Sequence, residues 1–266
     1  MVCDKTVVCD KTVECDHTVK VLILGGTTES RALASALDTV QGIDTITSLA
    51  GRVTRPILPV GQTRIGGFGG PEALAVWLRD NAIDVVVDAT HPFASTIGAH
   101  AEQATRASGV ALLVLTRPPW TAGEGDRWTS VASLPDAASA ITPGSRVFLT
   151  TGRQGVRYFA CVDHSWFLVR SIDPPTGPVP PHMTLHLSRG PFDIDHESTL
   201  LADNRIDLLI TKNSGGDMTR AKLDAARVTS IPVLVVDRPV RTGSAPTVFD
   251  VAAAVDWLAN RSSAAS

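Results

Sequence analysis

Glycines and small polar residues follow several apolar runs of the sequence, at the positions where a strand would end. The first group is Gly25, Gly26, Thr27 and Thr28, directly after Val21–Leu24. Glycines allow a phosphate to approach the backbone, and free N–H groups at the start of a helix can bind it. Thr27 or Thr28 can instead cap that helix. The full G-x-G-x-x-G pattern is missing, so a phosphate-binding loop and an ordinary strand-to-helix turn both fit.

Gly51 and Arg52 follow the second apolar run. In dinucleotide-binding proteins this position meets the adenosine ribose, where an acidic residue suits NAD and an arginine suits the 2′-phosphate of NADP. Arg52 therefore favours NADPH as a cofactor. The alternative is a surface arginine in an ordinary loop.

The segment 66–70 has the sequence Gly-Gly-Phe-Gly-Gly. So many glycines are costly to order, and a simple turn would need fewer. They are explained if the backbone lies close to a flat ligand. A later segment, 88–94, reads Asp-Ala-Thr-His-Pro-Phe-Ala and places His91 after another apolar run. His91 either donates to a substrate or caps this loop.

Basic residues follow the apolar runs of the second half: Arg153, Arg170, Arg189 and Lys212. Because ligands of parallel sheets bind at the carboxyl ends of the strands, we expect these four residues to converge on one rim. Several cations around a cleft, in a chain with a net charge of −3, indicate a polyanionic ligand. An ion pair within the rim is the alternative for any one of them.

The bulk composition argues against several classes of function. A net charge of −3 lacks the basic excess of a nucleic-acid-binding surface, and no apolar run is long enough for a membrane span. The motifs C-x-x-C and G-x-S-x-G do not occur, so we expect no metal site and no such nucleophile. Outside the N-terminal repeat the only cysteine is Cys161. We expect a packed thiol, no disulfide framework and a cytoplasmic protein.

The elements that would position these residues are apolar runs that alternate with helical stretches, in an order that repeats along the chain. Ile83–Asp88 corresponds to Ile206–Thr211, and Ala111–Pro118 corresponds to Pro232–Pro239. Continuous apolar runs are typical of parallel strands buried on both faces, and their alternation with helices is typical of βαβ units. We therefore expect an α/β fold with two Rossmann-like parallel-sheet domains and a cofactor and substrate cleft between them. One continuous sheet is the alternative.

The repeat also sets the expected domain boundaries. Residues 19–118 form the N-terminal domain, 119–145 a Pro/Gly/Trp-rich connection, and 146–262 the C-terminal domain. A tail helix over 248–260 can pack back on the first domain. Residues 1–18 carry a repeated Cys-containing hexapeptide without a core-forming pattern, so we expect a disordered and dispensable extension.

The motifs of the chain, read in order, resemble those of the precorrin-6A reductase family: GGTTES, AGR, GGFGG, DATHPFA, TTGRQ, RSIDPP, RGPF and TKNSGG. The resemblance extends from about Val19 to Leu258. It implies an NADPH-dependent oxidoreductase that reduces one double bond of the precorrin-6A macrocycle to precorrin-6B in cobalamin biosynthesis. The acetate and propionate groups of the macrocycle would account for the basic rim.

The residues and the resemblance together give a candidate site for a monomer that binds a small-molecule tetrapyrrole. The cofactor-binding candidates are Gly25, Gly26, Thr27, Thr28, Gly51, Arg52, Gly67, Phe68, Gly69, Thr90, Asn213, Ser214 and Gly215. The substrate-binding candidates are Arg153, Gln154, Arg170, Ser171 and Arg189. The candidate proton donors are His91, Asp173, Lys212 and water.

Three alternatives to this function stay open. Cobalt-precorrin-6A, the substrate of the anaerobic pathway, would undergo the same type of reaction. A cofactor-free tetrapyrrole enzyme would bind no NADPH, and the Gly-Gly-Thr-Thr turn and the Gly-Arg pair count against it. A non-catalytic module would bind an anionic ligand without oxidising NADPH.

Overall fold

The computed structural model describes residues 18–51 and 53–265. Most of the hexapeptide repeat and Arg52 lie outside the described residues. The described chain forms two six-stranded sheets whose neighbouring strands all run parallel. This arrangement confirms the predicted α/β class, and the alternative of one continuous sheet is wrong. Among the described residues, no helix is long and apolar enough to cross a membrane.

The strands of the first sheet are β1 (Val19–Leu24), β2 (Ile43–Leu49), β3 (Gln62–Ile65), β4 (Val85–Asp88), β5 (Ala111–Leu115) and β12 (Thr247–Val248). Their order across the sheet is β12-β5-β4-β1-β2-β3. The helices that cover it are α1 (Thr28–Leu37), α2 (Pro71–Asp80), α3 (Ser95–Ser108) and α7 (Val251–Ala265).

β1 shows why an unbroken apolar run is required at the centre of this sheet. Successive side chains of a strand point to opposite faces. Val21 and Ile23 belong to an apolar cluster with α1 and α7, whereas Leu22 and Leu24 belong to a second cluster with α2 and α3. Both faces of the strand are therefore buried from Val21 to Leu24, and a polar residue in that run would have no water-exposed side.

The strands of the second sheet are β6 (Trp128–Val131), β7 (Arg146–Leu149), β8 (Trp166–Ser171), β9 (Met183–Leu187), β10 (Leu208–Lys212) and β11 (Val233–Val236). Their order is β6-β11-β10-β7-β8-β9. Its helices are α4 (Leu134–Ser139), α5 (Ile194–Asp203), α6 (Ala221–Val228) and a short 3₁₀ helix, Val156–Phe159.

Two elements lie where the sequence predicted otherwise. The expected connection 119–145 contains α4 and β6, and β6 pairs with β11 as an edge strand of the second sheet. Its residues, Trp-Thr-Ser-Val, include an exposed polar centre, so they give no apolar signal. At the other end of the chain, β12 pairs with β5, and α7 packs on α1 through Ala254 and Leu258. Strand β12 thus completes the first sheet, and the tail helix packs on the first half, a position that its sequence pattern allowed.

Candidate functional site

A pocket lies between the two halves, beside the carboxyl ends of β2, β8 and β9. The Thr54 N–H donates to Asp173 Oδ2 at 3.0 Å, and Arg189 Nη2 donates to the carbonyl of Arg55 at 3.0 Å. The pocket has a volume of about 400 Å³. Its lining residues are Thr54, Arg55, Ile172, Asp173, Leu187, Ser188 and Arg189. It combines two arginines with exposed apolar side chains, which suits a ligand that is both anionic and broadly apolar.

The two halves are joined more closely beside β4, β5 and β10. Arg117, after β5, donates to the carbonyl of Ser214 at 2.7 Å and pairs with Glu29 at 3.1 Å. Arg238, after β11, donates to the carbonyls of Asn213 and Ser214 at 2.8 and 3.0 Å. These bonds hold the loop after β10 against both chain segments that connect the sheets.

The turn between β1 and α1 has a clear structural explanation for part of its sequence. Thr27 is the N-cap of α1; its hydroxyl oxygen accepts from the Ser30 N–H at 3.1 Å and donates to the carbonyl of Ala89 at 2.8 Å. A side chain at Gly25 would come within 2.9 Å of a Thr47 methyl group. Gly26, with φ +113°, faces open space, so its backbone is the part of the turn that a ligand can approach.

Arg64 braces the glycine-rich loop that follows β3. Its guanidinium donates to the carbonyls of Gly66 and Gly67 at 3.0 and 3.2 Å and lies 3.8 Å from the centre of the Phe68 ring. Phe68 in turn packs edge-on against Trp77, so this candidate belongs mainly to the core. Gly67 has open space where a side chain would project. Nothing in the sequence pattern distinguished Arg64 from other arginines, and sequence reasoning missed it.

His91 connects the β4 loop with the second half of the protein. Its Nε2 lies 3.1 Å from Ser214 Oγ, and its Nδ1 accepts from the Phe93 N–H at 3.2 Å. Since Nδ1 is the acceptor, the proton of the neutral ring is on Nε2, which donates to Ser214. Burial lowers the pKa of His91 to about 3, and the nearby cations Arg117 and Lys212 act in the same direction. The imidazole is therefore neutral at physiological pH.

The neighbouring candidate Thr90 is bound to a buried carboxylate. Its hydroxyl donates to Asp88 Oδ1 at 2.6 Å, and its N–H donates to the same oxygen at 3.1 Å. The second oxygen of Asp88 pairs with Arg241 at 2.9 Å. Thr90 is held in place by these bonds, so its own side chain has a local role in the loop.

The loop after β10 is shaped by packing against the connecting segments. The Asn213 side chain bonds both backbone groups of Trp120, at 2.8 and 3.0 Å. A side chain at Gly215 would come within 2.1 Å of the Pro118 carbonyl oxygen, and the residue has φ +67°.

The predicted basic rim is wrong for Arg170. Its side chain is 6% exposed and forms an ion pair with Glu197 of α5, which is fully buried. The guanidinium lies 4.7 Å from the Phe148 ring centre and 3.9 Å from that of Phe192. The alternation along β8 turns Arg170 towards α5 and away from the pocket, and the sequence gives no sign of the partner carboxylate.

The remaining substrate-binding candidates are distributed around the turn after β8. Arg153 lies 3.9 Å from Asp173, and Arg189 lines the pocket. Ser171 is buried and donates to the carbonyl of Asp173 at 2.7 Å, so it supports the turn. Gln154 is exposed.

Two lysines lie near the contacts that join the two halves. Lys212 is partly buried, its ammonium nitrogen is 5.2 Å from the Phe93 ring centre, and burial lowers its pKa. Lys222, which sequence reasoning missed, is 4% exposed and lies against Trp120. Burial lowers the pKa of Lys222 to about 7, with a smaller effect of the same sign from Arg170.

The prediction that Cys161 is a packed thiol is wrong. The residue is exposed just after the 3₁₀ helix, whereas its neighbours Phe159 and Val162 are buried in the core.

Within residues 18–51 and 53–265, no group of histidine, cysteine and acidic side chains is arranged to hold a metal ion.

Comparison with known proteins decides the family. The model for "Precorrin-6x reductase CbiJ/CobK" matches residues 20–259. The chain belongs to the precorrin-6x reductase family. A precorrin-6A reductase of Rhodococcus erythropolis is 52% identical over 240 residues, covering 90% of this chain and 97% of the relative. The solved structure of a CobK precorrin-6A reductase superposes with a TM-score of 0.85 at 40% identity, covering 91% of this chain and 96% of that one.

A more distant relative in the family carries a different name. The cobalt-precorrin-6A reductase of Salmonella typhimurium is 29% identical over 238 residues, covering 82% of this chain and 87% of the relative.

Within this precorrin-6x reductase family member, the repeated Arg-Pro pair was the overlooked sequence signal. Arg117-Pro118 and Arg238-Pro239 were predicted as equivalent strand ends but not as site residues. The structure brings both arginines to the Ser214 carbonyl.

Proposed function

We propose that this protein reduces one double bond of the precorrin-6A macrocycle with NADPH and forms precorrin-6B in cobalamin biosynthesis. The observation that carries the proposal is the 52% identity, over nearly the whole chain, to a protein named precorrin-6A reductase. When bound, NADPH supplies the hydride, and the protein supplies binding, orientation and exclusion of water.

The cofactor is proposed to lie against the first sheet. Gly26 offers an open backbone at the N-terminal end of α1, where the helix dipole favours a phosphate. Gly67 offers a second open stretch of backbone after β3. Gly51 and Arg52 follow the adjacent strand β2, and Arg52 is proposed to contact the 2′-phosphate.

The macrocycle is proposed to enter the pocket between the halves. Arg55 and Arg189 border this pocket and suit carboxylate side groups, because guanidinium groups bind carboxylates with two parallel hydrogen bonds. Ile172 and Leu187, which are 46% and 51% exposed, suit the apolar ring edge. This division of chemistry fits a flat tetrapyrrole better than a small, uniformly charged ligand.

Lys212 is the proposed proton donor among the three side chains considered. His91 is neutral, and its remaining ring proton is directed at Ser214. The Asp173 carboxylate is already engaged, because it accepts from the Thr54 N–H at 3.0 Å and lies 3.9 Å from Arg153. Lys212 has a pKa lowered by burial, and a lower pKa makes its ammonium group a stronger acid.

The proposal is tested by titrating the purified protein with NADPH and NADH, followed by turnover assays with precorrin-6A and cobalt-precorrin-6A. We expect NADPH oxidation coupled to loss of precorrin-6A. Preferential turnover of the cobalt form would assign the anaerobic reaction instead. Tetrapyrrole binding without NADPH binding would contradict the reductase proposal and favour a cofactor-free enzyme.

A further inference from the structure

Two arginines of the segment that returns the chain from β11 to β12 hold two different loops. Arg238 donates to the carbonyls of Asn213 and Ser214, at the end of β10. Arg241, three residues further on, pairs with Asp88 at the end of β4 at 2.9 Å. The same short segment thus fixes one loop from each half of the protein.

Asp88 links Arg241 to the loop that follows β4. The carboxylate is 1% exposed, and its two oxygens have separate partners. Oδ2 accepts from Arg241, while Oδ1 accepts from the N–H and the hydroxyl of Thr90. A buried carboxylate needs such compensation, so movement of Arg241 would leave a charge uncompensated next to Thr90.

Two glycines provide the space that this pair needs. A side chain at Gly98 of α3 would lie 3.2 Å from Asp88 Oδ2 and 3.3 Å from Arg241 Nη1. A side chain at Gly243 would overlap the carboxylate of Glu102, which itself lies 3.5 Å from Arg241 Nη2. The returning segment therefore passes close to α3 and presents Arg241 to two acidic partners.

The two loops fixed in this way are joined by the hydrogen bond between His91 and Ser214. We infer that Arg241 is a positioning residue. It acts through Asp88 to hold Thr90 and His91 in place, so that His91 stays within hydrogen-bond distance of Ser214 in the other half. This inference rests on the proposed function, because the alignment of these two loops would bring a cofactor on the first sheet close to a substrate in the pocket. Arg241 itself is not assigned a contact with either ligand.

The inference is tested with Arg241→Gln, Arg241→Lys and Asp88→Asn in the full-length protein. Arg106→Gln is the control, because Arg106 is an exposed arginine of α3. We expect Arg241→Gln and Asp88→Asn to lower kcat for NADPH-dependent turnover about tenfold or more, since small misplacements of reacting groups cost this much. The KM values should stay within about twofold, and Arg241→Lys should recover part of the rate.

A spectroscopic measurement without cofactor or substrate separates this inference from the proposed function. Long-range ¹H–¹⁵N NMR spectra report the protonation of each histidine ring, and the His91 signals are assigned by their loss in His91→Gln. In the unsubstituted protein and in Arg106→Gln, we expect His91 to stay neutral with its proton on Nε2 between about pH 5.5 and 8. In Arg241→Gln it should titrate within this range.

Each outcome of the two measurements is informative. If Arg241→Gln does not fold, the double variant Asp88→Asn/Arg241→Gln removes both charges and is measured in its place. His91 spectra and kcat values equal to those of Arg106→Gln would overturn the inference. Failure of the unsubstituted protein to oxidise NADPH with precorrin-6A would instead refute the proposed function, while the NMR comparison would still test the role of Arg241.

Discussion

Arg170 and Glu197 form a buried ion pair between β8 and α5, and the guanidinium also contacts the rings of Phe148 and Phe192. Removal of one partner from such a pair leaves an uncompensated buried charge. We expect Arg170→Met to lower the free energy of unfolding by about 3–5 kcal/mol, measured by urea denaturation. The double variant Arg170→Met/Glu197→Leu should recover most of this loss. A stable Arg170→Met protein with a raised KM would instead return Arg170 to the substrate site.

Gly67 and Gly215 provide a matched pair of glycine substitutions. Gly215→Val should lower the melting temperature strongly, because its side chain would collide with the Pro118 carbonyl and its φ is +67°. Gly67→Val should leave the melting temperature nearly unchanged and reduce turnover, because the new side chain enters open space where the cofactor is proposed to lie. Normal turnover of folded Gly67→Val would remove this loop from the site.

Arg52 is predicted to determine the preference for NADPH. Arg52→Ala should weaken NADPH binding by about 1.5–3 kcal/mol, the usual contribution of a hydrogen bond to a charged group. The affinity for NADH, which lacks the 2′-phosphate, should change little. Isothermal titration with both nucleotides measures this difference, and an equal loss for both would show that Arg52 has another role.

The stability of the protein is predicted to fall as the pH drops below the ordinary pKa of histidine. The folded pKa of His91 is lowered to about 3 from 6.5, so at intermediate pH the unfolded chain binds a proton that the folded protein does not. From neutral pH to about pH 5 this linkage costs on the order of 2 kcal/mol. Above the unfolded pKa both states are neutral and the effect disappears. His91→Gln should flatten the pH dependence in this range, measured by denaturation at a series of pH values.

Much of the fold was predictable because its central strands are buried on both faces. β1, β4, β10 and β11 are each built on an apolar run of three or four residues, which is followed by polar residues or a turn. β6 was missed because it is an edge strand with exposed polar residues, so it lacks that signal.

The candidate site was predictable only in part. The sequence placed His91 after a strand end as a substrate donor or a loop cap, and the structure puts its ring 3.1 Å from Ser214 Oγ of the other half. Arg170 also lies at a strand end in the sequence. Its side chain nevertheless points to the face of β8 that α5 covers, where it pairs with Glu197. Arg64 and Arg241 act through partners that are distant or unmarked in sequence, so no local pattern could have distinguished them.

The return of β12 and α7 to the first sheet has a consequence for biosynthesis of the chain. During translation, α1 emerges early, but the helix that covers Leu33 and Leu37 is made only after the entire second sheet. We therefore expect the first half to keep an open apolar face until α7 has been synthesised. The second sheet, whose strands lie consecutively between β6 and β11, has no such delay and can complete its folding first.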